Sequence, residues 1–440
     1  MTQMELDYMQ RRVELDPNDI RVILTTDAEA AFQSTSRKHC YDVLCSEPTL
    51  RDRFAPFFAH THMGAQRVYW PAAKILLTPS SGFTQGDVNS SKLFTCNTAS
   101  LVAGLQAASP VDATVVAIVD DITIMGKLNA VVDIECARDR LQKPANYLVN
   151  TSKQYVYTMI EAQMEHIQLA LPNHTVVYVG NEYGFNISGI PLGGEAYITA
   201  KLQKNLDKTK QVIANISKLD NVQDKLILLL VCIPGRIQHL LGAVPINLSR
   251  HFAHEHDEAI TTAVADALDL GPLTKRDKLL MQRKLSNHGL GLRSMEANLE
   301  FLFLAGFMKT VKSITSAFPH FNPTLASTLE GESGYGLQLT EALNTLKQTH
   351  SQKLLDLLPD SIADVMKEDY NWPHDAIQRE LDNILSEKHD SLYNMDRIGD
   401  QQDKATLLST DTSIFTLIPR SELLRIPNEH LVYLAKQLFG

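Results

Sequence analysis

The sequence is short of positive charge for its length. Its 41 lysines and arginines are outnumbered by 51 aspartates and glutamates, which gives a formal net charge of -10. Binding to nucleic acid depends on lysines and arginines that neutralise phosphates, so this composition argues against a surface that is basic throughout. It leaves room for a local basic groove, to which residues 275–278 and 283–284 could contribute.

Cysteines and long apolar runs are also scarce. The five cysteines are an odd number with no C-x-x-C pair, which predicts reduced intracellular thiols rather than a disulfide framework or a zinc site. The most apolar window, residues 226–233, is far shorter than the roughly 20 residues that span a bilayer. Residues 1–7 lack the basic and apolar segments of a signal peptide. We therefore expect an intracellular protein without a membrane span, in the nucleus or the cytoplasm.

The length and the apolar content predict a folded chain with a mixed architecture. With 440 residues, 44% of them hydrophobic, the chain can bury a sizeable core in two or three domains. From Glu195 onward the pattern is almost wholly helical. The segments that predict strands are residues 114–119, 122–125, 154–158, 175–179 and 184–188. Strands mixed with helices in this way predict an α+β fold.

Two adjacent carboxylates, Asp120 and Asp121, interrupt a strand-like apolar run. Residues 115–119 precede them and residues 122–124 follow them. A buried carboxylate without a partner is costly, so such a pair is neutralised, meets a cation or lies at the tip of a tight hairpin. The pair is either a metal-binding hairpin or a solvent-exposed turn that carries two aspartates.

Three more segments occur in a fixed order around this pair. Residues 22–26 are a short strand-like run that ends at Asp27, and Phe32 follows five positions later. Residues 82–87 read G-F-T-Q-G-D and lie between the two acidic sites, whereas residues 150–153 read N-T-S-K and follow them. In this order, the segments resemble the palm of reverse transcriptases, closest to the polymerases of LINE-type (non-LTR) retrotransposons.

Later segments extend the resemblance over about residues 20–310. Residues 189–193 resemble the family's G-x-P-L-G turn into the thumb, and residues 234–241 resemble its P-R-x-x-H-L-L helix with one residue inserted. Residues 289–292 are similar to a further segment rich in glycine and leucine. Two positions depart from the family pattern: Ile118, where an aromatic is usual, and Val88, where a proline is usual.

The resemblance implies an RNA-directed DNA polymerase that adds deoxynucleotides to a primer 3′-hydroxyl. Its partners would be an RNA or DNA template with a primer, and deoxynucleoside triphosphates. Such nucleotidyl transfer uses two divalent cations about 3.5 to 4 Å apart, here Mg²⁺ or Mn²⁺. By the resemblance, Asp27 and Asp120 are the bridging metal ligands, and Asp121 is the auxiliary carboxylate.

The resemblance also implies roles for four other residues. Phe32 corresponds to the steric gate that rejects a 2′-hydroxyl, although a core phenylalanine is an equal alternative. Gln85 and Gly86 correspond to a flexible loop near the templating base, where glycine allows close backbone approach. Lys153 corresponds to the lysine that protonates the departing pyrophosphate, with an ordinary surface lysine as the alternative.

The implied organisation has three parts. Residues 1–190 would form the palm, an antiparallel sheet packed on helices, with residual fingers. Residues 191–315 would form a helical thumb-like domain, and residues 316–440 a helical C-terminal domain. The family places its fingers before the position of Asp27, so we expect most of them to be missing and activity of the chain alone to be weak. A partner chain could supply the fingers.

The charge balance and one histidine-rich segment each have a further interpretation. The acidic balance favours an alternative function, a retroelement remnant that no longer polymerises and acts as a nucleic-acid-binding or structural protein. His251, His254 and His256, followed by Asp257 and Glu258, lack metal-ligand spacing and instead predict an exposed polar helix.

Overall fold

The computed structural model describes most of the chain, which divides into two compact units. The first unit comprises residues 1–180 and 318–324, and the second comprises residues 181–317 and 325–440. The finer division into three domains stays a prediction. The described residues are 4, 6–9, 16, 19–63, 68–70, 72, 74–77, 81–83, 88–109, 111–285, 289–317, 322–330, 334–348, 351–367, 370–396 and 428–439.

The first unit is built on a five-stranded sheet and also contains a separate pair of short strands. In chain order, the strands of both sheets are β1 (Arg21–Thr26), β2 (Val68–Trp70), β3 (Ile75–Leu77), β4 (Ala113–Ile118), β5 (Asp121–Lys127), β6 (Tyr155–Thr158) and β7 (Thr175–Tyr178). The sheet has the order β4-β5-β1-β6-β7, whereas β2 and β3 pair only with each other. Its neighbours are antiparallel except for the parallel pair of β6 and β7. The predicted α+β fold is confirmed, but the sheet is mixed and not antiparallel throughout as predicted, because β7 reaches β6 through a helical crossover.

Strand β1 lies at the centre of this sheet because its side chains are apolar on both faces. Val22, Ile23 and Leu24 are all fully buried, although successive side chains of a strand point to opposite faces. Val22 and Leu24 share a core with Phe94 and Ile134 of the long helices described next. The strand that leads to Asp27 is therefore held from both sides.

Helices of the first unit pack against the sheet and beside it. They are α1 (Ala31–Ser34), α2 (Arg37–Ser46), α3 (Pro48–Arg51), α4 (Ala55–His62), α5 (Ser90–Ala108), α6 (Leu128–Ala145) and α7 (Met164–Ala170). The sequence predicts continuous helical periodicity over about residues 36–58, but the structure divides this stretch into three helices. Pro48 begins α3, and the Glu47 side chain caps it, because proline suits the first turn of a helix and not its interior.

Strand β4 is an edge of the sheet, and a glutamine side chain satisfies part of its free edge. The Gln106 side-chain amide donates to the Ala113 carbonyl at 2.9 Å, and its oxygen accepts from the Val115 N–H at 2.8 Å. This side chain therefore makes the hydrogen bonds that a neighbouring strand would make, which protects an otherwise open edge.

Where the structure describes it, the second unit begins with a hairpin and is otherwise helical. Its elements are β8 (Gly184–Ile187), β9 (Ile190–Gly193), α8 (Glu195–Ile216), α9 (Val222–Ile227), α10 (Gly235–Leu241), α11 (Ile246–Ala267), α12 (Lys275–Gln282), α13 (Leu299–Met308), α14 (Val311–Ala317), α15 (Asn322–Leu329), α16 (Gly334–Lys347), α17 (Gln352–Leu355), α18 (His374–Asp396) and α19 (Asn428–Phe439). Within the described ranges, none of these helices combines the length and apolarity that crossing a membrane requires.

The segment at residues 189–193 differs from its sequence prediction. Instead of a turn over the whole segment, the structure has a turn at Ser188 and Gly189, with φ values of 49° and 81°, followed by strand β9. Pro191 fits in β9 because this two-stranded ladder leaves an edge on which no N–H donor is required.

The histidine-rich segment is also less exposed than its pattern predicts. In α11, His256 is fully buried and Asp257 is 8% exposed. The Asp257 carboxylate accepts hydrogen bonds from the Ser294 hydroxyl at 2.7 Å and from the Met295 N–H at 2.9 Å. The acidic residue therefore anchors the loop before α13, and the prediction of a wholly exposed polar helix was wrong.

Candidate active site

The adjacent carboxylates Asp120 and Asp121 lie at the tip of a tight hairpin. Ile118 at the end of β4 pairs with Asp121 at the start of β5, so Val119 and Asp120 alone form the turn. Val119 has a φ of 57°, in the left-handed region that β-branched residues rarely adopt. Such a conformation costs on the order of 1–3 kcal/mol and requires support from the surrounding structure.

Asp27 lies beside this tip because of the register between β1 and β5. The last pair of that ladder is Thr26 with Ile122, so Asp27 and Asp121 are the next residues on two neighbouring strands. Residues at such opposed positions have Cβ atoms about 5 Å apart. Two carboxylates separated by more than ninety positions in sequence therefore belong to the same end of the sheet.

Lys153 reaches this end of the sheet through a short segment that pairs with the chain after β1. The Glu29 N–H donates to the Leu148 carbonyl at 2.7 Å, and the Asn150 N–H donates to the Asp27 carbonyl at 2.9 Å. One turn of 3₁₀-helix follows, over Thr151–Lys153, with the Asn150 side chain as its cap. The Lys153 Nζ then lies 2.5 Å from the Asp27 Oδ2.

The charges of the site act on one another. Burial, together with the Asp120 and Asp27 charges, raises the pKa of Asp121, and Lys153 opposes this shift. The hydrogen bond and the charge of Asp27 raise the pKa of Lys153, so this ammonium stays protonated at neutral pH. Three carboxylates face one lysine, and the cluster has an excess of negative charge that favours a cation.

The donor set fits a magnesium ion in its chemistry. Mg²⁺ prefers oxygen ligands and is usually held by one or two carboxylates, several waters and substrate phosphates rather than by a complete protein cage. Asp27, Asp120 and Asp121 offer such oxygens, and all three are partly exposed. In the described part of the chain, no three acidic, histidine or cysteine side chains already converge as a ready-made metal centre. A metal here would depend on waters or substrate for its other ligands.

Phe32 lies on α1, directly after the loop that carries Asp27. It is half-buried, and its ring contacts Phe94 with 5.3 Å between centroids. The Phe32 carbonyl accepts a hydrogen bond from the Phe83 N–H at 2.6 Å. The ring is therefore partly a core residue and partly accessible, and its predicted contact with a sugar stays a prediction.

Gln85 and Gly86 lie outside the described residues, but the chain just before them is firmly held. The buried Arg37 donates from Nε to the Gly82 carbonyl at 2.7 Å and from Nη2 to the Ser81 carbonyl at 3.3 Å. Gly82 has a φ of 76°, and a Cβ at this position would lie 2.3 Å from the Gln33 carbonyl oxygen. Only glycine permits this approach, which places residues 81–83 against α1.

Two residues near the site were missed by the sequence analysis. One is Arg37, described above. The only sequence feature that could have pointed to it is a positive charge within an amphipathic helix. The other is Tyr147, which is 3% exposed and donates from its hydroxyl to the Asp120 carbonyl at 2.6 Å. Its position three residues before Asn150 was the only available signal, and that position does not predict a contact with the hairpin.

A row of lysines follows one face of α8 in the second unit. Lys201, Lys204 and Lys208 are three and four positions apart, which places them on the same side of a helix. This side lies away from the buried face, which comprises Ile198, Leu202, Leu206, Thr209, Ile213 and Ile216. The Lys201 ammonium lies 5.0 Å from the centre of the Tyr197 ring. An acidic protein thus carries one local basic surface with an aromatic at its end.

Comparisons with known proteins assign no family. No family model matches the chain, and no curated protein matches it. Solved structures similar to it include apo telomerase from Candida tropicalis, with a TM-score of 0.37, 10% identity and coverage of 71% of this chain and 53% of that one. Telomerase from Candida albicans in complex with a fragment of telomeric RNA has a TM-score of 0.32, 10% identity and coverage of 73% and 53%. The chain spans about half the length of these structures.

Proposed function

We propose that this chain is an RNA-directed DNA polymerase domain of the LINE-type retrotransposon kind, which adds deoxynucleotides to a primer 3′-hydroxyl. The observation that carries the proposal is the arrangement at one end of the sheet. Asp27, Asp120 and Asp121 come from two neighbouring strands, and Lys153 lies against Asp27. The same four residues carry the sequence resemblance.

In this proposal the chain's own residues supply metal ligands, a proton donor and substrate selection. Asp27 and Asp120 would hold Mg²⁺ with Asp121 as an additional ligand, and the metal would activate the primer hydroxyl and stabilise the leaving pyrophosphate. Lys153, whose pKa is raised, retains the proton that the pyrophosphate requires. Phe32 would discriminate against ribose, and Gln85 with Gly86 would contact the nascent base pair.

The lysine row of α8 supports contact with nucleic acid in spite of the net charge of -10. Each phosphate contact that a lysine makes raises the salt dependence of binding, so replacing Lys204 and Lys208 by glutamine should reduce the slope of log affinity against log salt by about two. Lys210→Gln is the matched control, because Lys210 lies on the same helix but pairs with Glu255 at 3.0 Å. An unchanged slope in the double variant would remove this surface from the proposal.

Primer extension on a poly(rA) template with oligo(dT) and Mg²⁺ or Mn²⁺ tests the reaction itself. Asp120→Asn should abolish the incorporation of labelled dTTP. Asp112→Asn is a matched control on the same hairpin, because Asp112 pairs with Lys127 at 2.8 Å and is about half exposed. Equal activity of the Asp120 variant and the wild type would refute the proposed site.

The alternative function is a non-catalytic protein that binds nucleic acid through the same fold. The observation that favours it is the ion pair between Lys153 and Asp27, which neutralises part of the carboxylate cluster. This alternative predicts salt-dependent binding of primer-template and no incorporation with either metal. Metal-dependent incorporation that Asp120→Asn removes would exclude it.

A further inference from the structure

Tyr147 connects the hairpin tip to the core of the first unit. Its side chain is buried with the residues that line the sheet and α6, and the hydroxyl is the only polar group of that side chain. That hydroxyl donates to the Asp120 main-chain carbonyl at 2.6 Å. A tyrosine hydroxyl is protonated at neutral pH, so it acts here as the donor.

The backbone around Tyr147 is tied to the other carboxylate strand. Asn146 closes α6 in a left-handed conformation with a φ of 51°, and its side-chain amide donates to the Ser34 carbonyl at 2.5 Å. Immediately after Tyr147, the Leu148 carbonyl accepts from Glu29 and the Asn150 N–H donates to Asp27. The main chain beside Tyr147 therefore fixes the Asp27 loop, and its side chain fixes the Asp120 turn.

The turn that Tyr147 contacts is the strained one. Val119 adopts a φ of 57°, and a two-residue turn with a β-branched residue in this conformation favours relaxation to another geometry. Because the carbonyl of Asp120 is the acceptor, the hydrogen bond acts on the peptide unit that follows the Asp120 side chain. Its loss would allow this carboxylate to change direction relative to Asp27.

We propose that Tyr147 is a positioning residue, which holds the Asp120 turn in register with Asp27 so that both carboxylates meet one divalent cation. This inference rests on the proposed function, since it assumes that the cation binds between these strands. Tyr147 itself touches neither metal nor substrate. Its role is to set where the Asp120 carboxylate points.

The first test is the affinity for Mn²⁺, measured by the loss of the free-ion signal in electron paramagnetic resonance. Tyr147→Phe keeps the shape and removes the donor, so it should weaken Mn²⁺ binding roughly tenfold, as removal of a group that orients a metal ligand does. Tyr370→Phe is the control, because that phenol also donates to a main-chain carbonyl, of Leu357 at 3.4 Å, in the second unit. Equal affinity of Tyr147→Phe and the wild type would overturn the proposal.

A second variant separates positioning from general stability. Adding Val119→Gly to Tyr147→Phe removes the conformational strain, so the double variant should recover part of the lost Mn²⁺ affinity. In primer extension, Tyr147→Phe should raise the metal concentration for half-maximal rate and leave the KM for the primer unchanged. A double variant as weak in metal binding as the single one would contradict a role in the turn.

A measurement on a chain that keeps the hydroxyl covers the case in which Tyr147→Phe does not fold. A single 3-fluorotyrosine at position 147 should show a ¹⁹F shift on Mg²⁺ addition that saturates with the metal-binding curve, and the same label at position 370 should not. No shift at position 147 would overturn the inference. If neither the wild type nor Asp120→Asn binds Mn²⁺, the proposed function fails first. If the wild type binds Mn²⁺ and only the Tyr147 results are negative, this inference alone fails.

Discussion

Replacing Asp121 by asparagine should stabilise the metal-free chain while weakening its response to metal. In the folded chain, Asp121 is partly buried and lies near the like charges of Asp120 and Asp27, and its pKa is raised as a result. Asparagine has nearly the same shape and no charge. The substitution therefore removes repulsion without creating a cavity, although it also removes a carboxylate that would hold a cation.

The expected gain follows from the charges at the site. Two unit charges about 5 Å apart interact by about 0.8 kcal/mol in water. Asp121 has two such repulsions and one opposing attraction from Lys153, so the net gain is about 0.8 kcal/mol at most, and salt screening lowers it further. For a unit of this size, that corresponds to a rise in melting temperature of roughly 1–3 °C.

Thermal unfolding in EDTA at low salt measures this difference. At 1 M NaCl the gain should shrink, because the Debye length falls to about 3 Å. Added Mg²⁺ should raise the melting temperature of the wild type more than that of Asp121→Asn. Asp112→Asn, which breaks the exposed pair with Lys127, should not be stabilising.

The pH dependence supplies an independent check with a defined sign. Because the folded chain raises the pKa of Asp121 above its ordinary value of 3.8, it binds this proton more readily than the unfolded chain. The resulting stabilisation is complete below pH 3.8 and is lost as the pH rises through the raised pKa. The wild type should therefore approach Asp121→Asn in stability as the pH falls from 7 towards 4. A variant that melts at or below the wild type at pH 7 in EDTA would refute the reasoning.

Three further predictions concern other residues. Lys153→Met should slow primer extension by about 100-fold without weakening Mn²⁺ binding, and a loss of metal affinity would contradict the role of proton donor. Burial raises the pKa of the Cys40 thiol to about 12, so Ellman's reagent at pH 8 should react with the exposed Cys136 and not with Cys40 until the chain unfolds. A rapid reaction of Cys40 in the native chain would show that this thiol is accessible. Gln106→Ala should lower the free energy of unfolding, measured with urea, by about 1–3 kcal/mol, because two main-chain groups of β4 lose their hydrogen-bond partner. A change below about 0.5 kcal/mol would mean that water replaces the side chain.

The sequence by itself determined the elements that carry the site. An apolar run that ends in a carboxylate predicts a central strand before Asp27, because only a strand buried on both faces is apolar at successive positions. An apolar run on each side of Asp120 and Asp121 favours a hairpin with charged residues at its tip. The helical character of the described residues after Glu195 was equally readable, since helical periodicity is a local property of the chain.

Other features of the fold were decided by tertiary contacts. The exposed appearance of residues 251–258 concealed the buried His256 and Asp257, whereas the division of residues 36–58 at Pro48 had a local signal that helical periodicity alone does not take into account. The composition of residues 251–258 is compatible with several burial patterns. The neighbouring elements select one of them, because burial is set by what packs against a helix face and not by that face alone.

The geometry of the candidate site also belongs to the tertiary structure. Pairing between β1 and β5 brings Asp27 beside Asp121, and no local pattern specifies a register between strands so far apart in sequence. The left-handed Val119 runs against the preference of its own side chain, and the hydrogen bond from Tyr147 joins segments that sequence inspection leaves unrelated. Local preference determined which residues form strands and helices, whereas long-range packing determined which polar groups meet. The physical reason is that a conformation that one residue disfavours persists only when the contacts around it outweigh its cost.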